Sequence, residues 1–182
     1  MQKEDQELVE GLKNEKSKNA AFKKLVEKYQ EKLYWHIRKI VMNHDDTDDI
    51  LQNAFIKVWK NIDSFREEST LYTWLFRIAT NESLTFITSR KRRSMLPLNE
   101  TSEHLMSNLL ADPYFEGDEI QMKLQKAIVQ LPEKQRLVFN MKYFDGMKYE
   151  EMSAILNTSE GALKASFFHA VRKVEDYLNK ND

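Results

Sequence analysis

Apolar residues recur at three- and four-residue intervals along most of this chain, a spacing that gathers them on one face of an α-helix. Over 20–42 the series Ala21, Phe22, Leu25, Val26, Tyr29, Leu33, Ile37 and Ile40 predicts one helix. Over 48–62, Ile50, Leu51, Ala54, Phe55, Val58, Trp59 and Ile62 predict a second, with Asp45 to Asp49 at the end where the helix dipole favours negative charge. Residues 63–69 break the pattern. A third helix over 71–93 turns Leu71, Trp74, Leu75, Ile78 and Ala79 inward and ends in Arg90-Lys91-Arg92-Arg93. Further on, 119–130 predicts a helix, and Pro132 opens another at a position where proline is tolerated. That helix carries Leu137, Val138, Met141 and Tyr143 and stops at Asp145-Gly146. A short helix over 149–156, the turn Asn157-Thr158-Ser159 and a long helix over 160–178 then form a helix-turn-helix pattern.

The two helical blocks are separated by a different kind of sequence. Residues 94–122 hold six acids, no Lys or Arg, and the helix-poor residues Pro97, Pro113 and Gly117. Such a stretch is too long for an ordinary loop and predicts a tether between domains. The expected organisation is all-α: a helical domain over 1–93, an acidic linker over 94–118, and a second helical domain over 119–182. Each block flanking the acidic stretch carries a small net positive charge: 18 basic against 15 acidic residues over 1–93, and 10 against 8 over 123–182.

Composition narrows the function. The chain has 182 residues, with 4 Gly, 3 Pro and no Cys, which argues against turn-rich β architectures and excludes disulfides and thiol chemistry. No apolar run approaches the roughly 20 residues of a membrane span. The first thirty residues are dense in Lys and Glu and hold no signal-peptide core. A cytoplasmic protein without membrane insertion is expected.

The last helix carries the most chemical information. Leu163, Phe167, Ala170, Val171, Val174 and Leu178 make a narrow apolar stripe. The opposite face holds Gly161, Ala165, Phe168, His169 and Arg172, with Lys164 at its edge. Small residues near the N-terminus let a helix sink into a major groove, where Lys164 and Arg172 can reach phosphates or guanine edges and Ala165 and Phe168 thymine methyls. The alternative is a helix that docks on protein. On the 71–93 helix, Arg77, Asn81, Thr85 or Thr88, and Lys91 form a polar ridge beside Phe65, Arg66 and Phe76. Exposed aromatics beside basic residues suit unstacked bases of a single strand; the other account is that these aromatics are core. His44-Asp45-Asp46-Thr47-Asp48-Asp49 could suggest a divalent cation, but adjacent positions on a turn scatter their side chains, and helix-start acids account for the run. HExxH, GxxxxGK and GxSxG motifs are absent. Neither an enzyme, a cofactor nor a metal site is expected.

Phe65-Arg66-Glu67-Glu68-Ser69-Thr70-Leu71-Tyr72-Thr73-Trp74-Leu75-Phe76-Arg77-Ile78-Ala79-Thr80-Asn81 resembles region 2 of the extracytoplasmic-function (ECF) sigma factors of RNA polymerase. Asp48-Asp49-Ile50-Leu51-Gln52-Asn53-Ala54-Phe55-Ile56-Lys57-Val58-Trp59 resembles the helix by which that family grips the polymerase. Leu131-Pro132-Glu133-Lys134-Gln135-Arg136-Leu137-Val138-Phe139 and Tyr149-Glu150-Glu151-Met152 resemble its region 4. The resemblance spans about 20–93 and 119–180, in the family's order.

The resemblance implies a transcription initiation factor that binds core RNA polymerase and promoter DNA and promotes melting. It implies polymerase contacts at Asp49, Gln52, Asn53 and Trp59, with Asn53 standing where an acid is common. It implies -10 element contacts at Lys57, Phe65, Arg66, Phe76, Arg77 and Asn81, around a pocket for a flipped non-template base. It implies -35 element contacts at Gly161, Lys164, Ala165, Ser166, His169 and Arg172. An anti-sigma factor is a further partner that the family commonly has, and in the family the linker threads the basic RNA-exit region of the polymerase. Where many members carry Gly-Thr-Val-Lys/Arg-Ser-Arg, this chain has Gly161-Ala162-Leu163-Lys164-Ala165-Ser166, which removes a potential bidentate guanine contact. A -35 preference richer in A·T is therefore expected, to be checked by selecting bound sequences from random DNA. The competing account is a free-standing helix-turn-helix regulator with an N-terminal ligand or dimerisation domain, which leaves the polar ridge and aromatics of 62–93 unexplained.

Overall fold

The computed structural model describes residues 3–94, 107 and 119–180. The chain divides into two compact units, Met1–Arg90 and Lys91–Asp182. Among the described residues there are eight α-helices and no strand. Much of the acidic stretch lies outside the described residues.

A helix that the periodicity does not announce, α1 (Lys3–Lys13), begins the first unit. It is followed by α2 (Lys18–Val41), α3 (His44–Asn61), a 3-10 turn over Ile62–Ser64 and α4 (Leu71–Ser94). α1 lies antiparallel on α2: Asp5 meets Lys28 and Tyr29 at one end, while Gly11 meets Ala21 at the other. A Cβ on Gly11 would stand 2.8 Å from that of Ala21, so the two backbones approach as only glycine permits. Asp5 is buried and accepts hydrogen bonds from the Tyr29 hydroxyl at 2.8 Å and from Lys28 Nζ at 2.9 Å. Burial, reinforced by the Asp5 carboxylate, pushes the Tyr29 phenol far above its usual range. Leu8, Val9 and Leu12 complete the contact from within the core.

The joint between α2 and α3 is set by capping. α2 ends where Met42 adopts the left-handed conformation and returns its N–H to the Arg38 carbonyl. Asn43 then caps α3, its side chain accepting from Asp46 N at 2.9 Å. The acids of 45–49 thus surround the helix start, but the capping side chain is the asparagine before them. Leu25, Leu33, Ile37, Ile50, Val58, Ile62, Leu71 and Leu75 form the interior. Its polar members are bonded: Thr80 donates to the Phe76 carbonyl at 2.7 Å and Ser83 to the Ala79 carbonyl at 2.8 Å. With the Thr80 proton so committed, buried His36 donates from Nε2 to Thr80 Oγ1 at 2.8 Å.

The second unit comprises α5 (Glu119–Val129), α6 (Glu133–Tyr143), α7 (Tyr149–Leu156) and α8 (Glu160–Lys180). Its core joins Ala127, Ile128, Leu131, Phe139, Ala170 and Val174, flanked by Leu124, Phe167, Val171, Tyr177 and Leu178. Pro132 sits at the N-cap of α6. Four residues on, the buried Arg136 directs Nη1 toward the carbonyls of Val129 and Leu131, at 3.4 and 3.3 Å, satisfying the end of α5. Burial draws its pKa down, with Glu133 pulling the other way. Asn157, left-handed, ends α7, and Ser159 Oγ accepts from Ala162 N at 3.3 Å to begin α8.

Candidate nucleic-acid and polymerase interfaces

α8 divides cleanly. Leu163, Ala170 and Val174 are buried, and Gly161, Lys164, Ala165, His169 and Arg172 are exposed, with Ser166 half-buried. A Cβ added to Gly161 would meet nothing within 4 Å, so the protein's own packing does not require this glycine. Phe168 is 53% exposed on the same face. The Arg172 guanidinium lies 4.7 Å from its ring centroid and the His169 ring 5.8 Å away. Lys164 pairs with Glu160 at 3.3 Å and lies 5.4 Å from the Tyr149 ring. This face can offer cations, an imidazole and an apolar ring to a groove.

α4 is built differently, and here the account of its aromatics as exposed gives way to the account of them as core. Phe65 and Phe76 are not exposed: they are 3% and 2% accessible. Phe65 packs on Trp74, ring centroids 5.0 Å apart. Phe76 stacks on Tyr72 at 4.1 Å and meets His36 at 4.9 Å. The reason is the breadth of the buried arc. Leu71, Thr73, Leu75, Phe76, Ala79, Thr80 and Ser83 are all buried, which is roughly half of the helix circumference at 100° per residue. A narrow apolar stripe would have left Phe76 outside. The rings left partly open on α4 are Tyr72, Trp74 and Phe86.

The polar ridge remains on the outside. Asn81, Thr85 and Thr88 are exposed, and Arg77 is half-buried. Arg77 Nε is buried with no hydrogen-bond partner among the described residues. Arg66 is exposed on the loop before the helix. Lys57 is exposed on α3 and pairs with Glu82 of α4.

On α3, Asp49, Gln52 and Asn53 are exposed on one face. Trp59 is half-buried, with its ring against Phe22 at 5.0 Å and Lys18 Nζ 4.9 Å from its centroid. Ile56, 44% exposed, shares the face of Asp49, Gln52 and Asn53. It lies off the buried stripe of α3. In the acidic run, Asp46 accepts from Arg90 at 2.7 Å and His44 Nδ1 meets the Tyr34 hydroxyl at 2.7 Å. Among the described residues no three His, Asp or Glu side chains converge as metal ligands, and no helix is long and apolar enough to cross a membrane.

Residues 25–93 match the family model of Sigma-70 region 2, and residues 121–174 that of Sigma-70 region 4. The chain is 30% identical to the RNA polymerase sigma-H factor of Pseudomonas aeruginosa, over 97% of this chain and 95% of that protein. It is 30% identical to the ECF RNA polymerase sigma-E factor of Escherichia coli K12, over 94% and 93% respectively. The chain belongs to the ECF family of RNA polymerase sigma factors. It is a transcription initiation factor that recognises promoter elements. Its binding partners are core RNA polymerase and promoter DNA. The region 2 match occupies the N-terminal block, where a free-standing regulator would need a ligand or dimerisation domain.

Solved structures share the fold. CnrH, in complex with the cytosolic domain of CnrY, aligns with a TM-score of 0.71 at 21% identity, over 98% of this chain and 99% of that one. The sigma factor RpoE of Bartonella quintana, in complex with the anti-sigma factor NepR, aligns with a TM-score of 0.70 at 23% identity, over 87% and 96%.

Proposed function

We propose that this sigma factor divides promoter recognition between its two units. α8 reads the -35 element in the major groove through Gly161, Lys164, Ala165, Ser166, His169 and Arg172. The observation that carries this is the one-sidedness of α8: its apolar stripe is spent on its own unit, and five of these six residues stand on the exposed side. With Ser166 in place of an arginine, the -35 preference leans toward A·T and rests on methyl contacts and groove shape.

The first unit binds the polymerase through the outer face of α3, with Asp49, Gln52, Asn53 and the edge of Trp59. It opens the -10 element through Arg66, Arg77 and Asn81, with Lys57 on a phosphate. Phe65 and Phe76 contribute from beneath, as the floor on which the loop and the ridge are set. Melting needs no nucleotide hydrolysis. Flipping a base costs a few kcal/mol, offset by preferential binding of the unstacked strand. Neither block has enough net charge to hold DNA firmly alone, so affinity arises from linking both to one platform. The working division is 1–93, an acidic linker over 94–118 that threads a basic channel of the polymerase, and 119–182. The protein acts in the cytoplasm, carries out no catalysis itself, and is a target for an anti-sigma factor, a partner named for the Bartonella quintana homologue.

Reconstitution with core polymerase tests this. Holoenzyme containing Asn81→Ala should bind core normally but form open complexes about tenfold more slowly, the effect of one hydrogen bond to the flipped base. Normal melting by that variant would remove the pocket assignment. Failure of the unaltered chain to bind core at any salt would remove the whole scheme.

A further inference from the structure

Between the 3-10 turn and α4 runs the loop that carries Arg66. Its ends are fixed from within the first unit. Phe65 is buried against Trp74, and Thr70 Oγ1 accepts from Thr73 N at 3.1 Å to cap α4. The tip, Arg66–Glu68, is exposed. At Glu67 the backbone is left-handed, with φ of 60°, an uncommon conformation for a residue with a side chain.

What holds this tip comes from a helix 54 positions away in sequence. Lys13 Nζ, at the C-terminal end of α1, hydrogen-bonds Glu67 Oε1 at 3.0 Å and lies 6.0 Å from the centroid of the Phe65 ring. One ammonium therefore bonds to the residue after Arg66 and stands over the ring of the residue before it. A second lysine at the same corner repeats the pattern: Lys18 Nζ is 3.9 Å from Asp63 Oδ2 and 4.9 Å from the Trp59 ring centroid. α1 lies ahead of the region 2 match, which begins at residue 25.

We propose that Lys13 is a positioning residue for -10 recognition, fixing the peptide frame from which Arg66 projects and neutralising Glu67 where DNA phosphates approach. This rests on the assignment of Arg66 and Asn81 to the -10 element. The ammonium acts in two ways. Its bond to Glu67 holds the left-handed backbone of the tip, and its charge keeps the Glu67 carboxylate from pairing with Arg66 or repelling the strand. An Arg at position 13 retains both actions, and an Ala or Glu neither.

The test uses the full chain in holoenzyme, with a fluorescent base analogue at the flipped position of a -10 element. Lys13→Ala should slow opening about three- to fivefold, the scale of an exposed ion pair, and should reduce discrimination against substituted -10 sequences. Thermal unfolding and core binding should be unchanged. Lys13→Arg should behave as the unaltered protein. The exchange Lys13→Glu with Glu67→Lys should recover most of what Lys13→Glu loses alone. A purely structural contact would shift unfolding without altering -10 discrimination. Asn81→Ala separates the two levels of inference. If Asn81→Ala is impaired while Lys13→Ala opens and discriminates normally, the role of Lys13 falls alone; if Asn81→Ala opens normally, the -10 assignment falls and Lys13 with it. A charge exchange no better than Lys13→Glu would also overturn the role.

Discussion

α8 and α4 both carry proposed DNA contacts, yet they are anchored in contrasting ways. α8 rests on its unit along a narrow stripe of three buried residues, Leu163, Ala170 and Val174, with partly buried neighbours beside them. Its outer residues bear little of the unit's stability and can be changed for the sake of binding. α4 is enclosed over about half its girth and keeps Phe76, Thr80 and Ser83 inside. Its proposed contribution to DNA recognition is divided between a polar ridge and the aromatic support beneath, so a change there should disturb folding and binding together. An exposed side chain on a lightly anchored helix is open to a partner, whereas an aromatic on a deeply enclosed one is a foundation.

The sharpest way to break this comparison is a pair of aromatic truncations. Phe76→Ala should destabilise the first unit by about 3–5 kcal/mol, whereas Phe168→Ala should change the second by no more than about 0.5 kcal/mol. Chemical denaturation of the full chain, followed by probes in each unit, would measure both. Equal effects would dissolve the distinction between foundation and contact. Next in size is a charge deletion on α8. Lys164→Ala in holoenzyme should weaken promoter binding nearly uniformly across -35 sequences and reduce the slope of log affinity against log salt by about one, if Lys164 lies on a phosphate. A change confined to one base position would assign it to a base edge instead. The smallest effect sharpens the contrast through its sign. Gly161→Ala should stabilise the second unit by up to about 1 kcal/mol, because alanine favours a helix and a Cβ meets nothing there. It should nevertheless weaken -35 binding where the backbone enters the groove. A gain in stability with unaltered binding would place Gly161 away from DNA.

That α2 to α8 are helices follows from apolar periodicity, while some of their limits do not: α3 starts at His44 rather than 48 because Asn43 caps it. α1 escapes that logic. Leu8, Val9 and Leu12 are too few to announce a helix, and what secures it is the Asp5–Tyr29–Lys28 cluster, a tertiary feature that no local spacing encodes. The outward face of α8 was legible for the same reason that it is free: one narrow stripe determines everything opposite to it. Phe65 and Phe76 stand between two readings in the sequence because an aromatic beside a basic ridge looks the same whether it faces a base or the interior. Burial on two sides of α4 decides between them, and only packing reveals that. Ile56 shows the converse, an apolar residue whose departure from the stripe of α3 is visible in the sequence and which the structure leaves exposed.

The antiparallel fit of α1 on α2 bears on how this protein can be handled. Trimming the chain to residue 25, where the family match starts, would strip the cover from Tyr29 and leave an oily ledge open to self-association. An affinity tag placed ahead of Lys3 would instead enter beside Glu4 and Lys28, about 15 Å along α1 from Lys13 and the loop it holds. Purification handles therefore belong at that end, with the first helix kept intact.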